Sequence, residues 1–351
     1  MTSPDADTTG GARRRREITV ARIARLAGVS APTVSKVING RSGVATSTRQ
    51  RVEEIIRTHG YQRHGRAEPT PIVEIVFQAL DSLWALEIIR GVEQVLRPHG
   101  LTATVTEMHG QLTPDKAWAR QVLARRPMGV IGVSAQLTAA QHGELASRAI
   151  PVVTLDPSGE PAHRGASVGA MNWNGGLVAA RHLLELGHRR IAMINGPDEF
   201  ICCRARLDGY RAALDAAGVP VEPDLLRVAP LYVEGGLAQA RDLLGQPDPP
   251  TAIFTANDLQ ALGVYEAARE KGLRIPADLS VVGFDDLAFV RWIGPPLTTV
   301  RQPLMKMGAT AAELVLELAA GRQPGHDRIE LATTLIERQS TAPPRTADSR
   351  P

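Results

Sequence analysis

Residues 18–40 read ITVARIARLAGVSAPTVSKVING, and this stretch decides how the chain begins. Val20, Ile23, Ala24 and Ala27 recur at the spacing of one helix face. Val34, Val37 and Ile38 repeat that pattern after a break. Gly28 can take the positive φ that ends a helix, and Ser30 can accept from the free N–H groups that open the next. Ala24 is small enough for two helices to cross closely. Two short helices joined in this way make a helix-turn-helix, whose second helix is shaped for the DNA major groove. A third helix fits residues 47–58, with Val52, Ile55 and Ile56 closing a small core. A helical hairpin inside a larger fold is the plainer reading, and the charge distribution weighs against it.

Residues 1–66 hold 13 Lys and Arg against 5 Asp and Glu, a net charge of +8, whereas the rest of the chain nets −5. A basic head on a mildly acidic body points to a nucleic-acid module joined to a body with another task. Arg13 to Arg16 form a basic run within an expected disordered tail, 1–16, and add non-specific phosphate attraction. The 351 residues suffice for one small and two medium domains. Two adjacent cysteines, Cys202 and Cys203, suit a reducing compartment rather than a disulfide framework. The basic N-terminus has no apolar stretch behind it, so no signal peptide is expected, and no segment has the length of a membrane span. The expected location is cytoplasmic.

Residues 62–71, QRHGRAEPTP, read as a linker. From Ile72 the pattern changes to short apolar runs alternating with helical stretches: IVEIVF, TATVTE, GVIGVS and PVVTLD, then RIAMIN, TAIFTAND and SVVGFDD. That alternation implies doubly wound parallel sheets, and two series parted near residues 165–175 imply two similar α/β lobes. Ligands of open α/β sheets bind beyond the carboxyl ends of the strands. The polar residues there are Ser82, Ser134, Asp156, the Asn257-Asp258 pair and the Asp285-Asp286 pair. Each alone reads as a helix cap or loop residue; their recurrence at successive strand ends reads as one ligand cleft.

The chain from Ile18 to about Ser340 resembles transcription regulators of the lactose-repressor (LacI/GalR) family. The resemblance is carried by VARIARLAGVSAPTVSKVING (20–40), GGLVAARHLLELGHRRIAMINGP (175–197), PTAIFTANDLQALG (250–263), SVVGFDDL (280–287) and PPLTTVRQP (295–303). It implies a three-helix DNA-binding head over 17–61 and a two-lobe body, 72–340, like periplasmic binding proteins. The N-lobe is expected at about 72–170 plus 301–330, the C-lobe at about 171–300 plus 331–340, and a disordered tail at 341–351. It further implies a homodimer on near-palindromic operator DNA, controlled by a small-molecule effector, with no cofactor, metal or membrane partner. The implied major-groove readers are Ala31, Pro32, Ser35 and Lys36, with Thr33 and Asn39 at phosphate or groove edge. Lys36 can donate to guanine O6 or N7. The implied effector contacts are Trp84, Ser134, Asp156, Cys202, Arg206, Leu231, Asn257 and Asp285. Trp292 is a candidate for the cleft mouth.

The chain departs from the family after the third helix. Relatives carry a hinge helix ending in a Leu that wedges into the minor groove. Here the Leu position is Thr70, between Pro69 and Pro71, which disfavours a folded hinge helix. Arg63 and Arg66 are expected to enter the minor groove as an extended basic arm. The C-terminus, STAPPRTADSRP, lacks the heptads of a tetramerising coiled coil. No phosphate-binding glycine loop, nucleophile elbow or clustered metal ligands are evident, and Asp285 and Asp286, adjacent on a strand end, face different sides. An enzyme is therefore not expected. The reading is a repressor of a carbohydrate-catabolism operon released by a small sugar. The alternatives are a purine or small aromatic acid as ligand, or action with a corepressor.

Overall fold

The computed structural model describes residues 19–38, 43–59, 69–80, 82–158 and 165–345. They fall into two compact units, divided after Glu68. Asn39, Arg63, Arg66 and the tail 1–16 lie outside the described residues.

The first unit is three helices, α1 (Val20–Ala27), α2 (Ala31–Ile38) and α3 (Thr46–His59). Thr19 caps α1 by accepting from the Arg22 amide. Gly28 ends it at φ 66°, a left-handed conformation that costs glycine nothing. Ser30 Oγ accepts from the Thr33 amide at 3.3 Å and starts α2. Ile23, Ala24, Ala27, Val34, Val37 and Val52 are buried together, with Ile55 and Ile56 packed against them.

The second unit contains two six-stranded sheets. The first lobe runs β1 (Thr70–Phe77), α4 (Leu83–Leu96), β2 (Thr102–Glu107), α5 (Lys116–Arg125), β3 (Pro127–Val133), α6 (Ala139–Ser147), β4 (Val152–Leu155) and β5 (Ala166–Ala170). The chain then crosses to a second lobe. There it forms α7 (Asn172–Glu185), β6 (Ile191–Asn195), α8 (Ile201–Ala216), β7 (Leu226–Val228), α9 (Val233–Leu244), β8 (Ala252–Thr255), α10 (Asp258–Glu270), β9 (Ser280–Asp285) and β10 (Thr298–Arg301). It returns through α11 (Leu304–Ala319) and β11 (Arg328–Leu331) to the first sheet, and ends in β12 (Thr334–Ile336) of the second. The strand orders are β11-β5-β4-β3-β1-β2 and β12-β10-β9-β8-β6-β7. Every pairing is parallel except β10 with β12. The near-continuous apolar runs foreseen for a parallel sheet follow from helices covering both faces. One face of the first sheet packs on α4 and α11, the other on α5 and α6. In the second lobe α7 and α8 cover one face, α9 and α10 the other.

Close helix approach fixes part of the site. Gly176 of α7 and Gly209 of α8 lie against each other's helix backbone, where an added Cβ would meet Arg206 O and Trp173 O respectively. No larger residue leaves α8, and Arg206 on it, at this depth.

Two expected boundaries shift. Thr70 and Pro71 belong to β1 rather than to the linker: Thr70 pairs with Pro127, and its amide donates to Arg126 O. Residues 341–345 are held against the second lobe rather than forming a free tail. The Thr341 hydroxyl meets His182 Nε2 at 3.0 Å, Ala342 O meets His188 Nε2 at 2.9 Å, and Arg345 pairs with Asp278 at 2.6 Å. Polar side chains too scattered to form a sequence motif converge on this segment.

Candidate functional site

Two surfaces carry the chemistry. The first is the outer face of α2. Val34 and Val37 point into the three-helix core, so helical geometry turns Ala31, Pro32, Ser35 and Lys36 outward, and all four are exposed. Pro32 is tolerated because the first turn needs no amide donor. Thr33 is turned aside: its hydroxyl lies 2.8 Å from Ser30 Oγ, within the turn itself.

The second is a cavity of about 270 Å³ between the carboxyl ends of the two sheets. All eight residues singled out for effector contact line it: Trp84, Ser134, Asp156, Cys202, Arg206, Leu231, Asn257 and Asp285. Ser134 and Asp156 follow β3 and β4 at φ 49° and 48°, and Asp285 ends β9 at φ 114°. Left-handed backbone of this kind is uncommon for residues with a side chain and is concentrated at functional sites. Trp84, in the first turn of α4, has one side on the first lobe's core and another on the cavity. An antiparallel bridge between Ser158 and Phe200 joins the lobes beside it.

Arg206 is the buried cation of the cavity. Its Nε donates to Asn172 Oδ1 at 2.9 Å and its Nη1 to Ala256 O at 2.5 Å, while the guanidinium lies 3.8 Å over the Phe284 ring. Neither donor is spent on a carboxylate, so the charge acts on Asp156 and Asp285 through space. Burial pushes the Asp285 carboxyl up to about 7, against the opposing pull of Arg206 and the hydrogen bond from Gln302. Burial likewise raises Asp156, with Arg206 opposing. Behind them Asp258 accepts from Thr299 Oγ1 at 2.6 Å and from the Leu287 amide at 2.8 Å. Burial and the neighbouring Asp285 hold Asp258 well above the usual carboxylate range.

The charged lining is therefore Asp156, Asp285 and Glu199 against the single cation Arg206. Such a wall repels anions and accepts neutral or cationic molecules.

Asn257 has a structural task as well as a place on the wall. Its Oδ1 caps α10 through the Gln260 amide at 2.9 Å, and its Nδ2 donates to Leu231 O at 2.9 Å. Cys202 and Cys203 open α8; both are buried, and of the two only Cys202 reaches the cavity. Asp286 turns away from Asp285, into an ion-pair cluster with Arg291, Arg301 and Arg338. Trp292 does not line the cavity. It is 87% exposed beside a separate hollow formed with Arg291, Arg301 and Met305.

Phe77, Gln302 and Tyr232 also line the cavity and escaped the sequence reading. Phe77 ends β1 but is apolar, so a search for polar strand ends passes over it. Gln302 directly follows β10, and the same strand-end rule, extended to that strand, would have found it.

The Asp285 carboxyl is expected to titrate near 7 by carbon-13 carboxyl NMR. In Arg206→Met it should move higher, whereas Arg206→Lys keeps the charge and leaves it nearly in place. An ordinary value near 4, or one indifferent to Arg206→Met, would contradict this electrostatic picture.

Residues 19–64 match the model for bacterial regulatory proteins of the lacI family, and residues 180–341 match a periplasmic binding protein-like domain. The chain is 32% identical over 325 residues to the HTH-type transcriptional repressor CytR of Escherichia coli K12, covering 91% of this chain and 95% of that one. It is similar to the solved complex of the transcriptional regulator CelR with cellobiose, at TM-score 0.70 and 31% identity over 92% of this chain and all of that one. It is also similar to the Lac repressor dimer bound to operator and the anti-inducer ONPF, at TM-score 0.68 and 28% identity over 93% of this chain and all of that one. A head with an outward-facing second helix, joined to a two-lobe body closed over a polar cavity, thus has relatives along nearly its whole length, and the chain belongs to the LacI family of bacterial regulators.

Proposed function

We propose that this protein is a repressor whose operator affinity falls when a neutral polyol, a pentose or short oligosaccharide, fills the cleft. The observation that carries the ligand assignment is the charge of the lining, three carboxylates facing one buried guanidinium. Sugar hydroxyls donate to carboxylates and accept from a guanidinium, and the Trp84 and Phe77 rings suit the C–H faces of a sugar. The CelR complex, which holds cellobiose, supports the same class. An aromatic acid fits this wall poorly because it brings a further negative charge. A neutral flat ring is the second reading, favoured by the four aromatic side chains Phe77, Trp84, Phe200 and Tyr232 in the lining.

On the DNA side, Ala31, Pro32, Ser35 and Lys36 read the major groove, Lys36 by donation and the first two by apolar contact. Thr33 serves the turn more than the groove. Asn39, Arg63 and Arg66 retain their assigned roles at the groove edge and as a basic arm. The chain works as a homodimer on near-palindromic duplex DNA, in keeping with the Lac repressor dimer on operator. A binding rather than catalytic role for the cavity accords with Asp285 and Asp286 facing apart.

The test begins with a duplex selected on the purified protein from a random library, followed by a thermal-shift screen of neutral sugars, purines and aromatic acids. A neutral sugar at 100 times its Kd should stabilise the protein by about 2.7 kcal/mol and release the duplex. Stabilisation by anionic ligands alone would overturn the ligand class, and tighter duplex binding would make the ligand a corepressor. Lys36→Ala should weaken the selected duplex by about 1–3 kcal/mol and random duplex far less. Equal losses on both would make Lys36 a phosphate contact.

A further inference from the structure

Gln302 occupies an unusual position. It is 3% exposed and lines the cavity, at the point where the chain leaves β10 for α11 and so passes from one lobe to the other. Its Nε2 donates to Asp285 Oδ1 at 2.6 Å. An ionised carboxylate offers no hydrogen, which orients the amide and commits its nitrogen to Asp285. Its Oε1 is buried and has no hydrogen-bond partner among the described residues. Buried acceptors in folded proteins are nearly always satisfied, so an orphan at a ligand cavity marks a place where something else supplies the donor. The backbone adds a constraint: the Gln302 amide donates to Asp285 O, and its carbonyl accepts from Leu304, the first residue of α11. The side chain therefore has little freedom to turn elsewhere.

We propose that Gln302 is a specificity-determining residue of the cleft, selecting ligands that carry two neighbouring hydroxyl groups, one donating to Asp285 and the other to Gln302 Oε1. The inference rests on the neutral-polyol reading of the cavity. A carboxylate and an amide oxygen joined by one short hydrogen bond form adjacent acceptors, and a vicinal diol presents adjacent donors. A ligand lacking one hydroxyl leaves Oε1 unsatisfied. Sites built to hydrogen-bond a hydroxyl discriminate strongly against analogues without it. Because residues 302–304 carry the chain between lobes, the same contact ties the ligand to the crossover.

The experiment compares wild type with Gln302→Met, which keeps the volume and removes both amide groups, using ribose, xylose and cellobiose as probes by calorimetry. The probe that binds is then paired with its monodeoxy analogues. Wild type should prefer the complete sugar over one deoxy analogue by tenfold or more. Gln302→Met should bind the two equally, at the weaker affinity. Gln302→Glu, which retains an acceptor oxygen, should keep the preference, and it separates loss of selection from loss of fold. Unchanged discrimination in Gln302→Met would overturn the assignment to Gln302 while leaving the polyol reading intact. Failure of all three sugars to bind wild type would instead overturn the polyol reading, and this assignment with it.

Discussion

A guanidinium held at 3% exposure is the constraint on which the body of this protein turns. An unpaired buried cation is costly, so its surroundings must supply acceptors and opposing charge. Asn172 and the Ala256 carbonyl supply the acceptors, the Phe284 face covers one side, and Asp156 and Asp285 supply the charge. Those two carboxylates come from different lobes. Their negative charge is tolerable at this depth largely because Arg206 is there, and burial still leaves Asp285 near 7. The cavity is in this sense an electrostatic unit assembled across a lobe boundary. The glycine contact between α7 and α8 places the cation at the right depth.

The same network touches the places where the chain changes lobe. Asn172, which accepts from Arg206, also donates to Ala170 O at 3.1 Å, on either side of the first crossover. Gln302, bound to Asp285, sits on the second crossover. Leu287, just after Asp285, is buried in the core of the opposite lobe. A ligand that alters the balance among Arg206, Asp156 and Asp285 therefore acts on the segments about which the lobes close. Thr70, where the body begins, is tied by backbone bonds to the start of β3 in the first lobe, so movement of that lobe carries the entry point of the linker with it.

Much of this was legible in the sequence, for physical reasons. The turn at Gly28 and the inward spacing of Ile23, Val34 and Val37 leave one arrangement for α1 and α2. Apolar runs closed by Ser134, Asp156, Asn257 and Asp285 mark strand ends, and parallel sheets put those ends on one side. What stayed hidden depends on contacts between distant residues. Nothing local announces that Trp292 is exposed away from the cavity, or that Asp286 is bound by three arginines. The docking of residues 341–345 depends on His182, His188 and Asp278, more than sixty residues upstream. Pro69 and Pro71 suggested a linker running through 71, yet β1 starts at Thr70, because Pro71 tolerates an extended strand start.

The central claim is that the cleft and the DNA-reading head compete thermodynamically, and linkage gives that claim a strict form. The decisive measurement is the affinity of the releasing sugar for the free protein and for the protein saturated with its selected duplex. If the two sites are coupled, the duplex must weaken sugar binding by the same factor by which the sugar weakens duplex binding, of the order of 5–150-fold in coupled systems. A sugar that binds the duplex-loaded and free protein with equal affinity would show the cleft and the head to be independent, and would contradict the account.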